Sequence, residues 1–427
     1  MKKYILPILT VMTVCRLAVA QEVTGYTLHI DKVDQDAANL HVQCAFSLDF
    51  SGKDSVLMNF GGAPEFSVDN LSVIGKDCSY KYSSDRKSLV FYSNGAGTAG
   101  IVMKYDYTNL SAFFIYGEGK AELWETSFGE YFYPYIPDTY IDVDINVQLP
   151  DSLSLLCSYP LESRHILAQS IALAFIQKDA YSHTVAYVPE KVEIYQVSGM
   201  QCDEKRYREL LELTKAGISY FSKIYGDDYI SGQRNIHSFP TYLFHDGKGF
   251  SNRYNIGFIS ASQEKFSTYP DIYPLVHEIG HRWLGEWTLL IEDGEPGAYF
   301  IKESLNEFMT LMFIRDYYGE NQYRALIEKY KDEYSKINGT RHDEPIVDVV
   351  VNNNNTVIYR KGPLVLDRIA RNIGYEKLTD IISRFYRQYA GCHPLEYTDF
   401  VAMVSESEPE TGDLLEFLLT AKPLPLG

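Results

Sequence analysis

The stretch PLVHEIGHRWLG, residues 274–285, sets two histidines four positions apart with a glutamate directly after the first. On an α-helix His277 and His281 stand one turn apart on the same face, so both imidazoles can reach one metal ion. Glu278 falls about 100° round the helix from His277, where it can serve a metal-activated water without ligating the metal. Ile272, Val276, Ile279 and Trp283 form an apolar stripe, Asp271 can cap the first turn, and Pro274 is tolerated within it. Gly280 costs such a helix about 1 kcal/mol relative to Ala, which suggests another element packed closely against it. A lone histidine here reads as structural; the pair with its glutamate points to zinc, one ion per chain.

A hydrolytic zinc site needs a third protein ligand and an open fourth position. Glu286, Glu292 and Glu295 lie in or near the acidic stretch IEDGEPG and read as solvated. The segment YFIKESLNEFMTLMFI, residues 299–314, differs: positions 300, 303, 307, 311 and 314 share one helical face and read Phe, Glu, Glu, Leu, Ile. Two carboxylates on an apolar stripe are costly to bury without partners. A zinc ion for Glu303 and a ligating imidazole N–H for Glu307 would supply them. The plain alternative is a partly exposed helix with two solvated glutamates.

Outward from these helices the texture changes once, near residue 200. After it the period is 3.6, with helices expected at 204–226, 272–286, 300–318, 321–337, 363–373, 375–390 and 396–405, and a buried strand at 238–246. Before it, short alternating runs recur at 26–30, 40–50, 88–93, 101–107, 140–149 and 183–197 and read as strands. NGAGTAG at 94–100 lacks the lysine and helix of a phosphate loop and reads as a hairpin turn. The asparagine run 352–355 reads as a loop.

The chain has 427 residues, enough for two sizeable cores, with 45% hydrophobic and 22% charged residues. Its 35 tyrosines and 22 phenylalanines suit extensive β-structure. A formal charge of −18 argues against nucleic acid or an anionic membrane as partner. Residues 1–20 read as a signal peptide: Lys2 and Lys3, an apolar run, then Ala18-Val19-Ala20 before Gln21. The run is too short to span a bilayer, so no membrane span is expected in the mature chain. Export to the periplasm or medium follows, with cleavage near Ala20; Cys15 is a weaker, lipid-anchor reading because bulky Val14 precedes it. Five cysteines remain after cleavage, none in a Cys-x-x-Cys pair, which disfavours cysteine-bound zinc.

With these residues in hand, the chain resembles the gluzincin aminopeptidases, zinc metallopeptidases related to membrane alanyl aminopeptidase, over most of its mature length. HEIGHRWLG resembles their zinc helix, including the Trp and Gly that follow. IKESLNEF resembles their glutamate helix, which makes Glu303 the third ligand, although the spacer of 21 residues after His281 is three longer than usual. IYRKGPLVL resembles their Tyr-x-Lys-Gly segment and makes Tyr359 the catalytic tyrosine. YFYPYIPDTYIDVDINVQLP resembles the segment leading into the cleft. The resemblance implies an α+β fold: a β-rich, saddle-like N-terminal domain (21–200) and a thermolysin-like, mainly helical catalytic domain (201–427), without the family's usual C-terminal helical domain. It also implies peptide-bond hydrolysis on peptide substrates, with Glu278 as general base and Tyr359 as oxyanion donor.

One segment departs from the family. Its Gly-x-Met-Glu-Asn motif, whose glutamate binds the substrate amine, is matched by SNRYNIGFI, residues 251–259. Asn255, Gly257 and Ile259 fit, but Tyr254 replaces the glutamate and Arg253 adds a positive charge. The family's second amine-binding acid, in its β-domain, is matched by Glu125 in ELWETSFGEYFYP. Three readings therefore stand: an aminopeptidase, a peptidase with no free-amine requirement, and a catalytically weak relative that binds peptides or proteins.

Overall fold

The computed structural model describes residues 23–425 except 35–38, 62–65, 85–87, 110–114, 117–122, 127–131, 137–138, 158–164, 169–170, 172, 189–190, 200–202, 227–240, 246–252, 256–257, 269–272, 286–290, 292–293, 351–352 and 391–394. The chain forms two compact units. One holds the described residues of Met1–Thr108, Tyr131–Gln148 and Arg164–Gln169; the other holds those of Asn109–Glu130, Leu149–Ser163 and Ser170–Gly427. The signal-peptide reading of residues 1–20 lies outside the described residues. Among those described, no helix is long and apolar enough to cross a membrane.

The first unit is all β. A six-stranded sheet runs in the order His165–Leu167, Tyr140–Val147, Val23–Asp34, Asn39–Asp49, Thr98–Asn109, Phe66–Gly75. Along Asn39–Asp49 every second side chain is buried, the period-2 pattern of a strand with one face on a core. Tyr26 and Phe46 stack there at 5.2 Å, and Cys44 is buried beside them, its thiol pushed up to about 12 by loss of water. A second sheet joins Ser55–Asn59, Ser88–Ser93 and Cys78–Ser83. The glycine-rich stretch 94–100 therefore does not close a hairpin. It carries the chain between two sheets, through a turn in which Gly95 has φ +90° and Ser93 Oγ donates to Ala96 O.

The second unit has a mixed five-stranded sheet, ordered Tyr181–Tyr187, Lys191–Val197, Thr241–His245, Phe258–Ser262, Arg253–Asn255. Its three inner strands pair in parallel, and both outer pairs are antiparallel. The texture change near residue 200 thus falls inside this unit, because alternation marks a strand but not the sheet it will join. A smaller sheet of Leu153–Cys157, Leu173–Gln177, Leu123–Thr126 and Ile115–Tyr116 shares a core with it at Ala174, Ile176, Val197 and Leu243.

The helices are α1 (Glu204–Tyr225), α2 (Gln263–Thr268), α3 (Pro274–Gly280), α4 (Leu305–Tyr317), α5 (Glu320–Ser335), α6 (Gly362–Ile373), α7 (Tyr375–Tyr389), α8 (Tyr397–Ser407) and α9 (Pro409–Thr420). Helix α1 starts where Asp203 accepts the Arg206 N–H at 2.7 Å and stops at Gly226, φ +94°. It lies against α3 at Gly217, where a methyl group would already touch Ile279 and Val276. Trp283 finishes this contact: its indole N–H donates to Gly226 O at 3.1 Å and its ring stacks on Phe221. Emptying so large a buried site would cost about 3–5 kcal/mol. Helix α9 lies beyond the last helix that the sequence pattern predicts, 396–405. Pro409 occupies the first turn, where its missing N–H costs nothing, and Gly412 makes room for Ser405 of α8.

Candidate metal centre

The expected helix 272–286 is shorter than its pattern suggests. Helix α3 runs only from Pro274 to Gly280, and Tyr273 at its N-cap makes no side-chain capping bond; Asp271 and Ile272 lie outside the described residues. After it the chain turns back on itself, with Trp283 N–H and Leu284 N–H both reaching Gly280 O. Gly285 has φ +136°, and any Cβ there would meet His281 Nδ1 at 2.8 Å, so the turn over this imidazole needs glycine. The turn brings Leu284 O to 2.9 Å from His281 Nδ1. A carbonyl only accepts, so Nδ1 carries the proton and Nε2 keeps its lone pair.

Glu303 reaches the same place from the next helical segment. Residues Phe300–Ser304 form a π-helical turn before α4, closed by Leu305 N–H to Phe300 O, rather than the first turn of one continuous α-helix. Such wide turns insert a residue and are common where side chains must be aimed. Here the two glutamates address opposite edges of one imidazole. Glu303 Oε2 is 3.2 Å from His277 Nε2 and 3.4 Å from His281 Nε2, while Glu307 Oε2 is 2.7 Å from His277 Nδ1. The solvated-glutamate alternative is thereby excluded, since Glu307 is buried and Glu303 nearly so.

Among the described residues, His277, His281 and Glu303 form the group able to hold a metal ion, their ligand atoms lying within 4.8 Å of one another. The donor set fits zinc: two imidazole Nε2 atoms and a carboxylate oxygen converge, with both outer ring nitrogens committed elsewhere. Glu295 is exposed and is not in this group; Glu286 and Glu292 lie outside the described residues.

The surrounding charges follow from burial. For Glu303 burial opposes ionisation, yet the His281 and His277 imidazoles hold its carboxyl well below the usual range. Burial opposes protonation of His277 as well, but the hydrogen bonds with Glu303 and Glu307 raise it well above the ordinary imidazole value. Glu278 is buried at the same spot, and loss of water raises its carboxyl despite the imidazoles nearby.

Tyr359 also arrives on a π-helical turn, Val357–Lys361. Ser304 Oγ donates to Ile358 O at 2.7 Å, and a Cβ on Gly362 would sit 2.1 Å from that same Oγ. Glycine at 362 therefore lets the tyrosine-bearing turn lie directly on the turn bearing Glu303. The Tyr359 hydroxyl hydrogen-bonds Glu303, and its ring centroid is 5.7 Å from that of His277. Burial, with the charges of Glu303 and Glu278, raises the phenol well above its ordinary value, so it stays protonated.

In solved structures the same arrangement of sheets and helices recurs. Native leukotriene A4 hydrolase of yeast matches with a TM-score of 0.67 and 13% identity, over 95% of this chain and 69% of that one. An M1 zinc metallopeptidase from Deinococcus radiodurans matches with a TM-score of 0.66 and 13% identity, over 95% of each chain. The chain has the fold of the M1 zinc metallopeptidases. No protein-family model and no curated protein matches the sequence.

Within this M1 fold three supporting residues escaped the sequence reading. Asn306 donates to His277 O at 2.7 Å and fills the space that glycine leaves at 280, where a Cβ would lie 2.1 Å from its Oδ1. Tyr330 of α5 donates to Glu307 Oε1, and the Arg360 guanidinium lies 4.3 Å over the Tyr330 ring. Only the bare Gly280 hinted at one of them; tyrosines and arginines carry no such signal. The amine-site candidates are placed by backbone alone. Arg253–Asn255 is the edge strand of the five-stranded sheet, Tyr254 opposite Ile259, and Glu125 lies opposite Ala174 in Leu123–Thr126. Their side chains, and Gly257, lie outside the described residues.

Proposed function

We propose that this protein is an exported zinc metallopeptidase that hydrolyses peptide bonds at a free N-terminus. The carrying observation is the convergence of His277 Nε2, His281 Nε2 and Glu303 Oε2 beside buried Glu278 and Tyr359. The fold likeness supports it: one Deinococcus radiodurans structure of this fold, 13% identical with a TM-score of 0.64, is bound to a Tyr-Ser-Ala substrate. Zinc, when bound, supplies a Lewis acid that polarises the scissile carbonyl and acidifies water. His277, His281 and Glu303 would hold it, with Glu307 and Leu284 O fixing the two imidazoles.

In this reading Glu278 takes the proton of the attacking water and returns it to the leaving amine. Its raised carboxyl keeps it basic enough to accept and acidic enough to give back. Tyr359 donates its O–H to the carbonyl oxygen as negative charge builds there. Tyr359→Phe should retain zinc and lose roughly 10²–10³-fold in turnover, the usual cost of one such donor; unchanged turnover removes the residue from the mechanism. The reading as a whole is tested by the peptide-library cleavage profile of zinc-loaded protein, with Glu278→Gln as control. No cleavage of any peptide, with zinc bound, favours the binding-only alternative.

Selectivity for a free amine is a separate question, because Tyr254 offers a hydroxyl where the resembled family has a carboxylate. Losing a charge-assisted contact weakens amine recognition by about 1.5–3 kcal/mol unless another acid substitutes. Glu125 is that substitute in our reading, so Glu125→Gln should abolish the preference for free-amine over acetylated peptides. Comparable cleavage of both by the wild type supports a peptidase without that requirement. A strong preference untouched by Glu125→Gln defeats both versions. The basic, apolar and small-residue order of residues 2–20 supports export.

A further inference from the structure

Lys361 and Asp343 are fully buried, and the chemistry above uses neither. The three N–H groups of Lys361 Nζ face four acceptors, one N–H being shared: Asp343 Oδ1 at 2.9 Å and the carbonyls of Glu344 at 2.7 Å, Ala421 at 2.8 Å and Lys422. The other oxygen of Asp343 accepts the Gly339 N–H at 3.0 Å and lies 3.1 Å from the Tyr334 hydroxyl. Asn338 Nδ2 adds a bond to Leu424 O at 3.0 Å. One ammonium thus gathers three stretches remote in sequence: the loop 339–344, the π-helical turn 357–361, and the segment following α9.

A buried ion pair is a poor way to gain stability, since apolar residues of similar volume do as well or better. What it supplies is direction, because each N–H must meet a fixed acceptor. Lys361 lies two residues after Tyr359, so the two side chains leave the turn on different faces. Tyr359 faces Glu303, and Lys361 faces Asp343 and the C-terminal carbonyls. Ser304 grips the same turn from the metal side through Ile358 O.

We propose that Lys361 is a positioning residue for Tyr359: its bonds to Asp343 and the Glu344, Ala421 and Lys422 carbonyls set the rotation of the π-helical turn that aims the Tyr359 hydroxyl at Glu303. The catalytic consequence rests on the reading of Tyr359 as oxyanion donor; the positioning itself does not.

The test places 3-fluorotyrosine at position 359 of the full, zinc-loaded chain and records its fluorine NMR spectrum. The paired substitution Lys361→Met with Asp343→Asn removes both charges together, so no lone buried charge remains. Wild type should give one narrow resonance; the paired variant, with zinc content unchanged, should give a shifted and broadened one. Its kcat should fall about 10- to 100-fold, the cost of a small misplacement, with KM little altered. In a Tyr359→Phe background the same pair should cause no further loss. An unmoved narrow resonance overturns the proposal, as does an equal loss of kcat in both backgrounds. Should the paired variant not fold, Asp343→Asn alone leaves one acceptor oxygen for two donors, the Lys361 ammonium and the Gly339 N–H, and should move the resonance in the same sense; an unmoved resonance there is again fatal. A shifted resonance in a protein whose wild type cleaves no peptide upholds Lys361 as the anchor and defeats the catalytic reading instead.

Discussion

Glu278→Gln should keep its zinc and lose peptide hydrolysis by on the order of 10²–10⁴-fold, the usual contribution of a positioned acid–base group. Glutamine has the same shape, so α3 should stay packed on α1 and α4, and the ligands on that helix should stay in place. What disappears is a basic oxygen at the one buried carboxyl of the site that the imidazoles do not bind directly. Glu303 cannot replace it, because His281 and His277 hold it well below the carboxylate range. Glu307 cannot either, since His277 and Tyr330 occupy its two oxygens. Turnover on a cleaved library peptide, with metal content measured on the same sample, decides the matter. Turnover within a few-fold of wild type, zinc retained, would show that another group carries the proton.

Glu303→Gln and His281→Ala should each strip the metal. Losing only an outer partner of a metal-bound histidine costs about 10–100-fold in affinity, and losing a ligand should cost more. Zinc bound to the folded chain alone adds stability, about 2.7 kcal/mol at a hundred times Kd. The thermal midpoint of the wild type should therefore rise with added zinc, while those of the two variants should stay flat. Glu295→Gln is the control, since Glu295 is exposed and is not in the His277, His281 and Glu303 group. Full zinc in Glu303→Gln, with loss in Glu292→Gln or Glu295→Gln, would move the third ligand to the acidic loop.

The centre of the candidate site was legible because it is local. His277, Glu278 and His281 sit within one helical turn, so their spacing alone decides that they share a site. Glu303 and Glu307 were legible for a related reason: carboxylates on an apolar face need partners, and only a cation or imidazoles could supply them. Tyr359 had no such mark among 35 tyrosines. Its identification came from the resemblance, and its place beside Glu303 depends on glycine at 362 facing Ser304.

Periodicity separated strand from helix in the segments where it is strong, for that choice follows from the spacing of apolar residues along a few turns; it passed over short strands such as Ser55–Asn59 and Leu173–Gln177 and over helix α9. Tertiary structure alone decided the rest. The hairpin Tyr181–Val197 reads like the strands before it, yet its register with Thr241–His245 puts it in the sheet of the helical unit. The π-helical turns at 300–304 and 357–361 leave no trace in the apolar pattern, because packing at Ser304 and Gly362 imposes them. Lys361 and the carbonyls of Ala421 and Lys422 likewise meet only when stretches 60 and 61 residues apart are folded together. Sequence spacing encodes contacts within a turn or a strand; contacts across the core follow from the summed packing of the whole chain, and no short window contains that sum.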